Sequence, residues 1–275
     1  MKNLLFYTAL LFAFNSYADS SSNSEYSIDV PHLKSGTVIK VTKKIDTIRA
    51  YLYKPDGEGP FPAIIDLHGC NGIWPRRSDI WKEKLISWGY AVIQVDSFST
   101  RKGGNICKHL FKINTTQRAY DAYATRNFFI NHKYIDPERV AVMGFSHGAT
   151  TTLVSLLNEF HKKESISRGK VFKVAIAIAP WCFNARGKVN NKNTKLLILI
   201  GEHDDWTPAQ RCTTMSTHDE NNYELIILKK AYHSYDVPNL SEDYLGHRVQ
   251  YSKTAAEQSY REARMFLDKH LGNNY

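Results

Sequence analysis

Val140-Ala141-Val142-Met143-Gly144-Phe145-Ser146-His147-Gly148 is an apolar run that ends on a serine between two glycines, and a second apolar-rich stretch follows from Ala149. Val140–Phe145 has the length and composition of a buried strand, and Ala149–Phe160 has the length of a helix. A chain that turns from strand to helix within so few residues crowds its own backbone. Glycines at positions 144 and 148 relieve the crowding, and the serine hydroxyl is left exposed at the end of the strand. Ser146 therefore reads as a nucleophile on a tight strand-to-helix turn.

A serine hydroxyl is weakly nucleophilic at neutral pH and needs a base, usually a histidine steadied by a carboxylate. On such a turn the partners are expected later in the chain, carboxylate first and histidine second. The apolar run Leu196–Ile200 leads into Gly201-Glu202-His203-Asp204-Asp205-Trp206, and Tyr223–Leu228 leads into Lys229-Lys230-Ala231-Tyr232-His233. His233 is the candidate base. Asp204 is the candidate carboxylate, with Asp205 and Glu202 as rivals. Acyl transfer also places negative charge on a carbonyl oxygen, which preformed N–H donors must meet. The backbone N–H of His147 is one candidate. The second is that of Cys70, with Asn71 as its rival, in the turn His68-Gly69-Cys70-Asn71-Gly72 after the run Ala63–Leu67. His203 and Trp206 are expected to line the site. No His/Asp/Glu triplet has metal-ligand spacing, so neither metal nor cofactor is assigned.

The same alternation extends along the chain. Thr37–Thr42, Ile48–Tyr53, Ala63–Leu67, Tyr90–Val95, Val140–Phe145, Val174–Ala179, Leu196–Ile200 and Tyr223–Leu228 read as strands. Helices are expected from Ser78 to Gly89, from the capping pair Asn114/Gln117 toward His132, over Ala149–Phe160, and from Thr254-x-x-Glu257 through Leu271. Apolar strands separated by helices imply an α/β fold, a mostly parallel central sheet with helices on both faces. No repeat or second domain interrupts it, and the polar stretch Asn184–Asn193 reads as a loop.

Composition agrees with one large core: of 275 residues, 43% are hydrophobic and 23% charged, with 36 Lys+Arg against 27 Asp+Glu. This excludes a disordered, collagenous or coiled-coil chain. The formal charge of +9 is scattered, without a basic stripe or a zinc-finger pattern, so no nucleic-acid partner is expected. Residues 1–18 carry Lys2, an apolar run from Leu4 to Phe14, and small residues Ser16 and Ala18 before a cleavage point, the pattern of a secretory signal peptide. Residues 19–35 read as a loose leader and 36–275 as the folded domain. No later segment is long and apolar enough for stable membrane insertion. The four cysteines, Cys70, Cys107, Cys182 and Cys212, are an even set suited to disulfides after export, and spacing alone leaves three pairings open.

From Gly36 to Leu271 the chain resembles the dienelactone hydrolase family of α/β-hydrolases. The likeness runs, in order, through Ile65-Asp66-Leu67-His68-Gly69, Asp96-Ser97-Phe98, Ile135-Asp136-Pro137-Glu138-Arg139-Val140 into the Ser146 turn, Gly201-Glu202-His203-Asp204-Asp205-Trp206-Thr207-Pro208, and Tyr232-His233-Ser234-Tyr235-Asp236. Leu245-Gly246-His247 and Ala255-Ala256 look like exported members. The resemblance implies an α/β-hydrolase fold, gives Ser146, Asp204 and His233 the nucleophile, acid and base places, and favours Asp204 over Asp205. It puts Arg101 near the position of an arginine that holds a substrate carboxylate. Well-studied members carry Cys where this chain has Ser146, and a carboxylate where it has Gly69 or Cys70. The implied activity is thus a serine esterase acting on a small ester other than a dienelactone. Cys70 and Cys107 flank the loops of the inferred site, and Cys182 and Cys212 follow adjacent inferred strands, so Cys70–Cys107 and Cys182–Cys212 are the expected bridges.

The expected function is an exported, periplasmic or extracellular, hydrolase of carboxylic esters. A peptidase or amidase could use the same triad. A catalytically silent binding protein would be marked by loss of a triad residue, and all three are present.

Overall fold

The computed structural model describes residues 26–29, 37–43, 46–163, 171–182, 189–190, 192–215 and 219–272, and side chains from residue 48 onward. The expected signal peptide, residues 1–18, lies outside the described residues. Part of the expected leader does not: Tyr26–Asp29 forms β1, antiparallel to β2 (Thr37–Lys43).

A nine-stranded sheet organises the chain. Its remaining strands are β3 (Asp46–Tyr53), β4 (Phe61–Leu67), β5 (Ala91–Asp96), β6 (Ile135–Phe145), β7 (Val174–Ile178), β8 (Lys195–Gly201) and β9 (Tyr223–Leu228), in the order β1-β2-β3-β5-β4-β6-β7-β8-β9. β2, β3 and β5 pair antiparallel in turn, and from β5 to β9 every pairing is parallel. The parallel strands are apolar on both faces because both are covered. Ile65, Leu67 and Val142 pack toward α2 (Thr115–Phe129) and α3 (His147–Ser155). Their sequence neighbours Ile64, Ala141 and Met143 pack toward α1 (Pro75–Ser87) and α6 (Lys253–His270). No described helix is long and apolar enough to cross a membrane.

Helix boundaries follow local chemistry. Asn114 and Gln117 form a reciprocal capping box at the start of α2. α1 begins at Pro75, three residues before the expected Ser78 start, because proline has no N–H to leave unpaired at the first helical position; Ser78 instead donates its hydroxyl to the Trp74 carbonyl. Ser252, rather than Thr254, caps α6 by accepting from the N–H of Ala255. The expected helix Ala149–Phe160 breaks in two, α3 and then α4 (Asn158–Lys163). The Ser155 carbonyl is taken by His161 Nε2 at 2.8 Å, a side chain satisfying what the next helical turn would otherwise satisfy.

After the short α5 (Gln210–Thr213) and β9, a two-stranded hairpin unforeseen in the sequence, β10 (Ser241–Tyr244) and β11 (His247–Gln250), precedes α6. Both expected disulfides are present. Cys70–Cys107 joins the loops after β4 and β5, and Cys182–Cys212 joins the loop after β7 to α5.

Candidate active site

The strand-to-helix turn between β6 and α3 is built as its residue types require. Ser146 takes φ 52° and ψ −117°, a backbone conformation that costs on the order of 1–3 kcal/mol and persists only where the surroundings enforce it. Here the Ser146 N–H donates to the Ile178 carbonyl of β7 at 2.9 Å. A Cβ on Gly144 would lie 2.3 Å from the Gly148 carbonyl oxygen, and one on Gly148 would lie 2.0 Å from that of Leu67. Only glycine fits either position.

Two groups from two further loops converge on this turn. His233, after β9, lies with Nε2 3.1 Å from Ser146 Oγ and Nδ1 2.8 Å from Asp204 Oδ2. Asp204, after β8, also accepts from the backbone N–H of Trp206 and Thr207 and from the Thr207 hydroxyl. Asp204 and His233 are 3% and 2% exposed, and Ser146 8%. Burial alone would raise the Asp204 pKa, but the adjacent imidazole and the Thr207 hydrogen bonds outweigh it and hold the carboxyl below its ordinary value. The carboxylate can only accept, so His233 Nδ1 carries the proton and Nε2 is left to accept from Ser146. The rivals are elsewhere: Asp205 sits 3.5 Å from His247, and Glu202 binds Lys229 and the Lys230 N–H.

His147 opens α3, so its N–H lies in the first turn, where no intrahelical acceptor exists. Its imidazole is held from behind by Arg118, fully buried on α2, which donates from Nη1 to His147 Nδ1 at 2.8 Å and from Nη2 to the His68 carbonyl at 2.7 Å. One guanidinium thus ties the residue after Ser146 to the turn that carries Cys70. His68 is neutral, donating from Nδ1 to the Gly69 carbonyl and accepting the Ser97 N–H at Nε2. Burial, reinforced by the Arg118 charge, pushes the pKa of both imidazoles far down, that of His147 to about 3. Nothing in the sequence marks Arg118, because an arginine on a helix reads as solvated surface.

Above Ser146 and His233 opens a cavity of about 220 Å³ whose wall includes Cys70, Asn71, Trp74, Trp206 and the β10–β11 hairpin. Trp206 is part of this wall and stacks on His247 with ring centres 4.9 Å apart. His203 does not line it; its half-exposed ring packs edge-on against Tyr232. Arg101 does not line it either. Its guanidinium donates to both carboxylate oxygens of Asp121, at 2.6 and 2.8 Å, and to the Ser97 carbonyl. The disulfide Cys70–Cys107 forms part of the cavity wall, while Cys182–Cys212 lies outside it.

The model of the dienelactone hydrolase family matches residues 48–271. Among curated proteins, a probable dipeptidyl-aminopeptidase B of Fusarium vanettenii is 27% identical over 264 residues, covering 82% of this chain and 27% of that protein. Its counterpart in Phaeosphaeria nodorum is 25% identical over 197 residues, covering 60% of this chain and 20% of that protein. The chain thus spans about a fifth to a quarter of the length of these curated relatives. Among solved structures, a dienelactone hydrolase-like promiscuous phosphotriesterase from metagenomic libraries superposes with a TM-score of 0.64 at 13% identity, covering 85% of this chain and 97% of that one. Esterase 2 of Thermogutta terrifontis gives 0.58 at 17% identity, covering 87% and 96%. At these identities the likeness to the two structures is one of fold.

Proposed function

This chain belongs to the dienelactone hydrolase family, and from that premise we propose that it is an exported serine hydrolase of small carboxylic esters. The observation that carries the reading is the unbroken relay from Ser146 Oγ through His233 to Asp204, at 3.1 and 2.8 Å, on the floor of a cavity. Ser146 Oγ attacks the ester carbonyl carbon as His233 Nε2 takes its proton. The N–H groups of His147 and Cys70 receive the negative charge on the carbonyl oxygen. His233 then returns the proton to the departing alkoxide, leaving an acyl group on Ser146. A water molecule, deprotonated by His233, attacks that acyl group, and the carboxylic acid leaves as Ser146 regains its proton. Asp204 holds the imidazole in the tautomer this requires and stabilises its positive form. A cavity of about 220 Å³ suits short acyl and alcohol groups.

Export is supported by the signal-like residues 1–18 and by two disulfides, which persist in oxidising compartments such as a periplasm or the cell exterior. The similarity to dipeptidyl-aminopeptidases favours amide hydrolysis as the second reading.

The test is hydrolysis of short p-nitrophenyl esters and aminoacyl p-nitroanilides by the protein and by Ser146→Ala. Ester cleavage that falls on the order of 10³-fold or more in the variant is the expected result. Equal activity in both proteins would refute the role of Ser146, and cleavage of the anilides alone would establish the second reading.

A further inference from the structure

We propose that the cavity selects substrates bearing a cationic group, an alkylammonium or a protonated amine, which binds against Glu242. This rests on the hydrolase reading and names its substrate class. The argument begins with strand alternation: residues two apart on a strand share a face. Leu240 and then Glu242 and Tyr244 of β10 all line the cavity, as does Val249, the cross-strand partner of Glu242 on β11. The intervening residues face the other way, and there Asp243 lies 3.6 Å from Arg248. Glu242 has no such partner: among the described residues no cation or donor pairs with its carboxylate.

The hairpin that presents Glu242 is fastened to the reacting groups. The Gln250 N–H donates to the His233 carbonyl, and the Tyr251 N–H to that of Leu240. Aromatic rings of Trp74, Trp206 and Tyr244 line the same cavity, and the negative face of an aromatic ring attracts cations.

Charge around the cavity reinforces the assignment. Among the described residues that line it, Glu242 is the one ionisable side chain besides His233 and Tyr244, in a protein of formal charge +9. Arg101, which the family resemblance would assign to a substrate carboxylate, is spent on Asp121 and absent from the wall. The cavity therefore offers a carboxylate where an anionic substrate would need a cation. A cationic group gains from the exposed carboxylate and from the rings together, about tenfold in kcat/KM.

The experiment compares acetylthiocholine with its uncharged isostere 3,3-dimethylbutyl thioacetate, and adds the 2-(dimethylamino)ethyl thioester as the protonated amine. It uses the protein, Glu242→Gln and Glu242→Lys. Expected is a preference of about tenfold for the cationic thioesters, expressed mainly in KM and weakened by salt, a preference reduced severalfold in Glu242→Gln, where the rings remain, and a reversed ratio in Glu242→Lys. Preference for only one of the two cationic substrates identifies which cation the site takes. Cleavage through Ser146 with no preference for either, or a preference unchanged in both variants, overturns this proposal alone. Failure to cleave any ester or thioester overturns the ester-hydrolase reading beneath it, and this proposal with it.

Discussion

Lowering the pH from 7 to 5 is expected to weaken the fold through the pair Arg118–His147. The His147 imidazole is 8% exposed, and its Nδ1 accepts from the buried Arg118 guanidinium at 2.8 Å. A proton on Nδ1 would displace that hydrogen bond and set a second positive charge beside the first. Burial and then the Arg118 charge accordingly push the pKa from 6.5 to about 3. The unfolded chain has no such restraint and takes up a proton near pH 6.5. The stabilising contribution is therefore fully present above pH 6.5 and is lost as the pH falls from there toward 3. At pH 5 the loss from His147 amounts to about 2 kcal/mol, taking 1.36 kcal/mol per pH unit. His68, shifted in the same direction by burial and by Arg118, adds to it with the same sign. Asp204 does not confuse the measurement, because its pKa is lowered from 3.8 and its contribution fades only below that value. The assay is urea unfolding at both pH values, with disulfides intact, of the protein and of His147→Gln. Glutamine keeps the backbone N–H and can accept from Arg118 through its amide oxygen, but does not titrate. The variant is expected to lose about 2 kcal/mol less than the parent between pH 7 and pH 5. Equal losses would refute the reasoning, since they would mean that His147 takes up its proton in the folded protein without penalty.

Three further outcomes follow from the same geometry. Cys70→Ser with Cys107→Ser opens a bridge that spans 37 positions, and loop entropy puts the cost at about 4 kcal/mol, read as a lower midpoint in denaturant without reductant. Gly148→Ala drives a methyl group to 2.0 Å from the Leu67 carbonyl oxygen, so a loss of about 3 kcal/mol is expected in the same assay, and parental stability would contradict the close approach. Thr207→Val removes the hydroxyl 2.8 Å from Asp204 Oδ2 while keeping shape and backbone N–H. A hydrogen bond to a charged group is worth about 1.5 kcal/mol at the low end, so kcat for a p-nitrophenyl ester is expected to fall about tenfold with KM little changed; an unchanged kcat would show that the backbone donors alone suffice to hold the carboxylate.

The sheet was readable because its parallel strands are apolar on both faces. A run such as Phe61–Leu67, buried at every residue and apolar at every residue but Asp66, shows no polar alternation to disguise it, and each loop that follows such a run is located by the run itself. Ser146, Asp204, His233 and the Cys70 turn all lie within a few residues of a strand end, so finding the strands brings these residues together on one edge of the sheet. Boundaries were read less well where a weaker local signal competed with a stronger one. Ser78 and Thr254 have the chemistry of caps, but α1 starts at Pro75 with no side-chain cap, and Ser252 takes the cap role in α6. The end of α3 depends on His161, whose reach to Ser155 is tertiary as much as local.

The cavity wall was not readable for a different reason. β10 is four residues long and largely exposed, so Ser241-Glu242-Asp243-Tyr244 carries no apolar alternation to mark it as a strand. Its register, and so the direction of Glu242, is fixed by pairing with β11 and by the bond from Gln250 to the His233 carbonyl. Arg118 is hidden in the same way: its burial is set by two loops that meet only once β4 and β6 lie side by side, with Leu67 opposite Gly144. The residues proposed to react thus follow from strands that announce themselves, whereas those proposed to support and select depend on contacts between distant segments. A relative with the same Ser146 turn could therefore keep the triad and differ at Glu242, and the two would be expected to share a reaction while preferring substrates of different charge.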